Sequence, residues 1–520
     1  ILLPENITSI GNSAFKSCIL LDTVIYLGKT NQLYGSEVFD NTTVSSISVL
    51  NEYTDDSFCG IPVLKPSGQC GPELNFIIES GILSITGNGP MYDYTNESPP
   101  LWYHFRTIIQ EIHLSENMTN IGNYGFYMLS YFHNITIPSN VTTIGDYAFY
   151  SCSNLQTITI QDSLISIGQS SFKYCLNLKD ITISGKVQSI GRNAFEFCSN
   201  LQRFIILKHI TSFINYNLEN LSIGNNAFQY CYSLESFSFP EGITSIENYA
   251  FNSCFSLQNI TLPERLTSIG SSAFRSCLSL RNITLPEGIT SIGESAFSYC
   301  SSLQSITLPE GLISIGNSAF ESCSNLRSII LPEGIISIED SAFYLCSNLR
   351  SIILPEGITS IGSLAFGGCS SFRSIIIPKK LKSIRASAFQ SCLSLKSITL
   401  PKGLILIGDY AFSYCSSLQS ITLPEGLISI GNSAFESCSN LRSIILPEGI
   451  ISIEDSAFYL CSNLRSIILP EGITSIEKYA FNSCSSLQSI TLPEGITSIG
   501  ESAFSYCSSL QSITLPEGLI

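Results

Sequence analysis

At 520 residues, the chain exceeds the ~250–300 residues that one compact core usually serves, so it holds several domains or one core extended along a repeat. Hydrophobic residues make up 44% and charged residues only 13%, which excludes extended disorder. The net charge of −16 argues against binding to nucleic acid or to an anionic membrane, and no apolar run approaches the ~20 residues of a membrane helix. The chain starts and stops in the middle of a pattern, as we expect of a fragment.

Residues 1–65 carry one repeat unit and then lose its period. The unit ends in the letters AFKSC at 14–18, and segment 42–65 has short strand-like runs that do not recur. The open end of a stacked repeat structure needs an atypical terminal unit. We therefore interpret 1–65 as the end of a first array with its cap.

Residues 66–118 are not repetitive. Segment 74–88 predicts a β-hairpin, with the letters ESG at its turn. An aromatic cluster at 101–105 contains the only tryptophan, Trp102. We expect the hairpin and this cluster to form the N-terminal cap of a second array.

Residues 119–520 form an array of 23-residue units such as CSSLQSITLPEGITSIGESAFSY. Cysteines recur every 23 residues from Cys231 to Cys507, each three residues after a phenylalanine. The register shifts by ten residues between Cys198 and Cys231, which predicts an extended loop near 208–220. Residues 296–361 are repeated unchanged at 411–476, so the array grew by duplication of blocks.

Each unit predicts a short strand followed by a turn. Ile306 and Leu308 alternate with Ser305 and Thr307, which places one pair inward and the other outward, and Pro309 ends the strand. Stacked units would form a solenoid with parallel strands ~4.8 Å apart. We predict one ladder through the strand centres from residue 112 to residue 513, broken only at the extended loop.

The pattern L-x-x-I-x-L-P-x-x-I-x-x-I-x-x-x-A-F-x-x-C resembles the 23-residue leucine-rich repeats of BspA-like surface proteins. The match is continuous over about 119–520, and the stretch GPMYDY at 89–94 is similar to a module that precedes such arrays. The resemblance implies a curved, right-handed coil of mainly parallel β-structure with short helical or 3-10 turns. It also implies display on microbial cells and binding to host matrix proteins or neighbouring cells.

Nineteen cysteines raise the question of disulfides or zinc. Seventeen occupy one repeat position, and their Cβ atoms would stack at the ~4.8 Å coil spacing, wider than the ~3.5–4.5 Å of a disulfide. We predict buried, reduced thiols that act as small apolar plugs. Cys59 and Cys70 lie outside the array; they could pair, or they could belong to two different caps.

No motif of a catalytic, metal or cofactor site is present, so we expect neither enzyme activity nor a cofactor. Asn-x-Ser/Thr sequons are confined to the first 284 residues. In a secreted eukaryotic chain they would mark glycan-bearing surface and leave the second half free to bind. The candidates are Asn6, Asn41, Asn117, Asn134, Asn140, Asn220, Asn259 and Asn282.

Outward strand positions should form the concave face, which repeat proteins commonly use for binding. Most units present Ser, Asn or Thr there, but three successive units present isoleucine, each with an arginine at the strand entrance. Exposed apolar residues beside Arg match the composition of interface hot spots, whereas the alternative is drift on a face that favours Ile anyway. The predicted ligand-binding residues are Arg327, Ile330, Arg350, Ile353, Arg373, Ile376 and Lys396.

Residues 373–402 contain seven basic residues and no acidic one, a local inversion in an acidic chain. Arg442, Ile445, Arg465 and Ile468 repeat the Arg/Ile motif as a second patch. We therefore predict a non-enzymatic, cell-surface adhesion protein that binds host, matrix or cell-surface proteins, or sulfated glycans, but no nucleic acid. The alternative is a sensing ectodomain or an intracellular scaffold.

Overall fold

A computed structural model describes residues 1–21, 23–30, 33–50, 52–184, 186–207, 221–239 and 242–515. The chain divides into two compact units, Ile1–Glu241 and Gly242–Ile520. This boundary falls inside the predicted array, not at residue 65 or 118 where the sequence changes character. The extended loop predicted near 208–220 lies outside the described residues.

The first unit begins with a small parallel sheet. Strands Leu2–Leu3, Val24–Tyr26, Ile47–Val49 and Ile61–Leu64 pair in that order, and Ser57–Phe58 folds back antiparallel on the last of them. A second pair, Ser9–Ile10 with Leu33–Tyr34, lies beside it. The core of this sheet contains several aromatic side chains, and the Tyr26 and Phe58 rings stack within it with centroids 4.4 Å apart.

The predicted hairpin follows. Strands Ser67–Gln69, Glu73–Glu79 and Ile82–Pro90 are antiparallel, and the turn after Glu79 uses Ser80 (φ 50°) and Gly81 (φ 81°). Strands Glu111–His113 and Met118–Ile121 both pair in parallel with Ile82–Pro90. One hairpin strand thus pairs with both of the strands that lead into the array.

Trp102 connects this hairpin to the array. It lies in the 3-10 helix Leu101–Phe105, is fully buried, and donates its indole N–H to the Gly125 carbonyl at 2.8 Å. Its ring stacks on Phe126, the first phenylalanine of the array, with centroids 6.2 Å apart. The tryptophan therefore closes the apolar end of the coil stack.

Each later coil contributes two short strands. We name row 1 the strands at the start of a unit, such as Ser305–Thr307, and row 2 those after the P-E-G turn, such as Ser314–Ile315. In the first unit, row 1 is Asn134–Ile137, Thr157–Ile160, Asp180–Ser184, Arg203–Leu207 and Ser236–Phe237, and row 2 is Thr143–Ile144, Ser166–Ile167, Ser189–Ile190 and Leu221–Ile223.

The second unit, taken by itself, has the same two kinds of strand. Row 1 is Asn259–Ile260, Asn282–Thr284, Ser305–Thr307, Ser374–Ile376, Ser397–Thr399, Ser443–Ile445, Ser466–Ile468, Ser489–Thr491 and Ser512–Thr514. Row 2 is Ile243–Ile246, Ser268–Ile269, Ser291–Ile292, Ser314–Ile315, Ser337–Ile338, Ser360–Ile361, Ser383–Ile384, Leu406–Ile407, Ser429–Ile430, Ser452–Ile453, Ser475–Ile476 and Ser498–Ile499. Paired residues are 23 apart, so one unit is one turn of the solenoid.

The core of each coil is the inward set that the alternation predicts. Ile306 is buried between the exposed Ser305 and Thr307. The phenylalanine of every A-F pair in the second unit stacks on its equivalents, as Phe343 does on Phe320 and Phe366 at 5.5 Å from each. This continuous ring stack holds neighbouring coils together because a single coil could not bury its own apolar face.

The predicted continuous strand ladder is wrong. In the second unit, row 1 is hydrogen-bonded as separate pairs of strands, with only a single bridge between Ile330 and Ile353. These strands are two or three residues long and are followed closely by a proline, which donates no hydrogen bond. Few bonds therefore join neighbouring row-1 strands.

An unbroken set of bonds between coils lies instead in the turn around the A-F pair. Ser318, Phe320 and Ser322 donate their N–H groups to the carbonyls 22 residues later, at 2.9, 2.9 and 2.7 Å. The same three bonds recur in every coil from residue 249 to residue 483. Ser318 and Ser322 take positive φ values of 52° and 57°, which turns alternate N–H groups outward to the next coil.

Candidate ligand-binding face

The predicted isoleucines lie on the surface of row 1. Ile330, Ile353 and Ile376 are 80%, 81% and 74% exposed, while their inward neighbours, such as Ile352, are buried. Leaving three such side chains in water on successive coils forgoes the free energy that burial would provide. Row 1 therefore carries an exposed apolar stripe.

A row of cations runs beside this stripe. Arg327, Arg350, Arg373 and Lys396 are exposed, and each backbone N–H after the first donates to the carbonyl of the one before, at 3.2, 3.2 and 3.0 Å. Within the described residues, no carboxylate lies within 4 Å of these four side chains. We call the four cations and the three isoleucines the first Arg/Ile patch.

The turn at the far end of row 1 changes charge at the same coils. Exposed glutamates occupy it at Glu333 and Glu356 and again at Glu425, but Lys379 and Lys402 stand there in the two coils between. The Lys382 ammonium reaches Gly403 of the next coil, 3.0 Å from where a Cβ on that glycine would stand. The acidic rim is therefore interrupted by a basic one.

Arg385 is the exception among the seven basic residues of 373–402. It follows row 2 rather than row 1, and its Nη1 lies 3.8 Å from Asp340 Oδ1. Its charge faces another side of the coil and is partly balanced there, so we leave it out of the candidate site.

The duplicated block builds a second Arg/Ile patch from Arg442, Ile445, Arg465 and Ile468. Its isoleucines are 65% and 60% exposed, and the Arg465 N–H donates to the Arg442 carbonyl at 2.9 Å. Its rim is acidic throughout, with Glu448 and Glu471 exposed. The two patches thus differ mainly in the charge that borders them.

The structure also reveals a second exposed isoleucine row that the sequence analysis missed. It lies just after the P-E-G turn, where other coils have threonine, and each member follows a buried leucine or isoleucine. Counting the inward and outward alternation past the glycine would have found it. Its members in the second unit are Ile313, Ile336, Ile405, Ile428 and Ile451, which are 45–62% exposed, and Ile165 holds the same position in the first unit at 39%.

The array thiols are reduced and mostly buried, but the plug interpretation is incomplete. Cys346 Sγ donates to the Phe320 carbonyl at 3.1 Å, and that carbonyl also accepts the Cys323 N–H at 3.1 Å. The same thiol bond recurs along the array. Burial raises the pKa of the Cys461 thiol to about 12, so such a thiol keeps its proton at neutral pH.

The same bond accounts for the leucine that replaces cysteine at position 129. It holds the cysteine position of the first coil, where the residue 26 positions upstream is Tyr103 of the cap helix. The Tyr103 carbonyl already accepts the backbone N–H and a guanidinium N–H of Arg106. A thiol there would lack its usual acceptor, so an apolar residue fits.

Cys59 and Cys70 do not form the disulfide that the sequence allowed, because both carry free thiols. Cys59 lies in the turn between Ser57–Phe58 and Ile61–Leu64, packed against the first aromatic core. Cys70 is fully buried in the hairpin, where its N–H donates to the Leu74 carbonyl. Each thiol belongs to a different cap.

All sequon asparagines within the described residues are exposed; Asn220 lies outside them. Asn134, Asn259 and Asn282 each begin a row-1 strand, so glycans there would cover the N-terminal part of the row-1 face. The patches that begin at Arg327 would stay uncovered.

Row 1 also lines the grooves of the molecule. One groove of 1030 Å³ follows residues 466–515, and smaller ones lie at 110–136 and 260–286. All three grooves are lined by row-1 residues. Among the described residues, no three His, Cys, Asp or Glu side chains are grouped to hold a metal ion, and no helix has the length and apolarity to cross a membrane.

A family model described as "BspA type Leucine rich repeat region (6 copies)" matches residues 1–61, 102–223, 221–350, 336–450 and 428–520. The chain belongs to the BspA-type leucine-rich repeat family. Proteins of this kind are typically non-catalytic, and the family points in general to protein binding or adhesion at the outside of the cell.

Solved structures of leucine-rich repeat proteins are similar to this chain. A leucine-rich repeat protein of Bacteroides ovatus is 27% identical over 72% of this chain and 94% of its own, with a TM-score of 0.53. A leucine-rich cell surface protein of Faecalibacterium prausnitzii is 26% identical over 86% and 93%, with a TM-score of 0.37. A leucine-rich repeat protein of Eubacterium ventriosum is 20% identical over 87% and 97%, with a TM-score of 0.31. No curated protein is significantly similar to this chain.

Proposed function

We propose that this BspA-type chain is a non-enzymatic adhesion protein of the cell surface, which binds extracellular or host proteins through the row-1 face. The observation that carries the proposal is the first Arg/Ile patch, where three exposed isoleucines lie beside four stacked cations that form no ion pair among the described residues. A partner with an apolar surface and carboxylates would bury the isoleucines and relieve the repulsion within the cation row.

Exposure of the sequons favours the cell surface over an intracellular scaffold. Glycosylation requires a side chain that an enzyme can reach, and the described sequon asparagines are all on the surface. Their glycans would also leave the Arg/Ile patches open. Both observations fit display outside the cell better than assembly in the cytosol.

The test is a triple variant, Arg350→Glu, Arg373→Glu and Ile353→Ser, assayed for binding to immobilised matrix proteins. We expect a loss of at least about tenfold in affinity, because two attractions become repulsions and an apolar contact is removed. The matched control carries Arg192→Glu, Arg275→Glu and Ile313→Ser, which changes net charge equally and also removes an exposed isoleucine, but outside the patch. Equal binding by the folded triple variant and the parent would contradict the proposal.

A further inference from the structure

Two neighbouring coils concentrate cations on both ends of row 1. Arg373 and Lys396 stand at the strand entrances, Lys379, Lys380 and Lys402 stand in the turns at the exits, and the Lys382 ammonium reaches Gly403 in the turn of the next coil. All six are exposed, and none forms an ion pair among the described residues. We call these six residues the basic band.

The two coils of the basic band are joined by backbone hydrogen bonds. Ser374–Ile376 pairs with Ser397–Thr399 in register, the Lys396 N–H donates to the Arg373 carbonyl at 3.0 Å, and the Ile377 N–H donates to the Thr399 carbonyl at 3.2 Å. The cations are therefore held at a fixed spacing on a paired part of row 1. A ligand would not have to order this surface itself.

The band is long in one direction only. It spans two coils along the solenoid, about 10 Å at the usual strand spacing, and is flanked at the turn by Glu356 on one side and Glu425 on the other. Along the strands, six residues separate Arg373 from Lys379, about 20 Å of extended chain. A linear anion lying along the strands meets cations at both ends of row 1, whereas one lying along the turns meets Glu356 or Glu425 beyond these two coils.

The surface between the two ends is suited to a sugar rather than to a purely ionic chain. Ser374, Ser397 and Thr399 present hydroxyl groups, and Ile376, 74% exposed, offers an apolar surface for a pyranose ring. We propose that the basic band binds a linear sulfated polysaccharide, laid along the row-1 strands across these two coils. This goes beyond the protein-binding proposal, although Arg373 and Lys396 belong to both sites.

The test uses heparin-derived oligosaccharides of increasing length, with affinity measured by calorimetry. Lys379→Glu with Lys402→Glu gives these turns the residue found at Glu356 and Glu425, so the fold is preserved. We expect at least about tenfold weaker binding for this variant, strong weakening by salt, and no binding of desulfated heparin. Affinity should rise with oligosaccharide length up to about 20 Å and then level off.

The duplicated block supplies a matched gain-of-function variant. Glu448→Lys with Glu471→Lys places two rim lysines beside Arg442, Arg465, Ile445 and Ile468, and should add a second heparin site, which raises the stoichiometry from one to two. Unchanged heparin binding by the Lys→Glu variant would overturn the inference. If that variant instead lost binding to an acidic protein while keeping heparin binding, the band would be a protein site, and the protein-binding proposal would stand alone.

Discussion

The phenylalanine stack allows a test of how far stability is shared along the solenoid. Phe343 is fully buried between Phe320 and Phe366, with ring planes within 10° of parallel on one side and 2° on the other. Replacing it with alanine removes both ring contacts and leaves a cavity, which costs about 3–5 kcal/mol for a buried aromatic residue. In a repeat protein each coil contacts only its neighbours, so this loss should be felt locally.

The matched variant is Phe149→Ala in the first unit. Phe149 is equally buried and stacks between Phe126 and Phe172 at 5.1 Å from each. The only tryptophan, Trp102, stacks on Phe126, so its fluorescence reports unfolding at this end of the array. Far-UV circular dichroism reports the strands of the whole chain.

Urea unfolding followed by both signals should separate the two variants. We expect Phe149→Ala to lower the fluorescence midpoint, and Phe343→Ala to leave it nearly unchanged while splitting the circular dichroism transition in two. If both variants shifted the fluorescence midpoint equally, the chain would unfold as one cooperative unit. The nearest-neighbour reasoning would then be refuted.

Two further predictions concern the thiols. Alkylation of the native protein should label the exposed Cys18 first, and the partly buried Cys59 and Cys507 slowly, because burial raises the pKa of the Cys59 thiol to about 12. The sixteen buried thiols should react only after unfolding. A disulfide between coils, found by mass spectrometry, would contradict this prediction. Cys346→Ala should lower the free energy of unfolding by about 1–3 kcal/mol, since it leaves a cavity and removes the thiol bond to Phe320, whereas Cys18→Ala at an exposed position should have almost no effect in the same denaturation assay.

The sequence predicted the parts of the fold that depend on side-chain alternation. Period-2 patterning placed Ile306 inward and Ile353 outward, and the glycine after Ser80 predicted the hairpin turn. These outcomes follow from local geometry that the residue order determines. They therefore needed no knowledge of how neighbouring coils approach.

What the sequence did not predict depends on contacts between coils. The bonds that run without a break lie in turns where Ser318 and Ser322 adopt positive φ, a conformation that serine does not signal. The bond from Cys346 to Phe320 appears only once the coil spacing is known, because its partners are 26 residues apart. The pairing of Cys59 with Cys70 failed for a related reason, since closeness in sequence did not place them in one core.

The two Arg/Ile patches together suggest how a protein ligand would be held. Each exposed isoleucine can contribute about 1.5–3 kcal/mol when buried, whereas an exposed ion pair contributes about 1 kcal/mol or less. The isoleucines would thus supply most of the binding affinity, and the cations would determine the specificity for a partner. Association itself costs about 4–15 kcal/mol, which is of the same order as the gain from burying the three isoleucines of the first patch. The second patch begins 115 residues later, five coils or about 24 Å along the solenoid, as the numbers of Ile330 and Ile445 show. A partner that spans both patches would bind the second at a high effective concentration, so the duplicated block raises affinity without any new kind of contact.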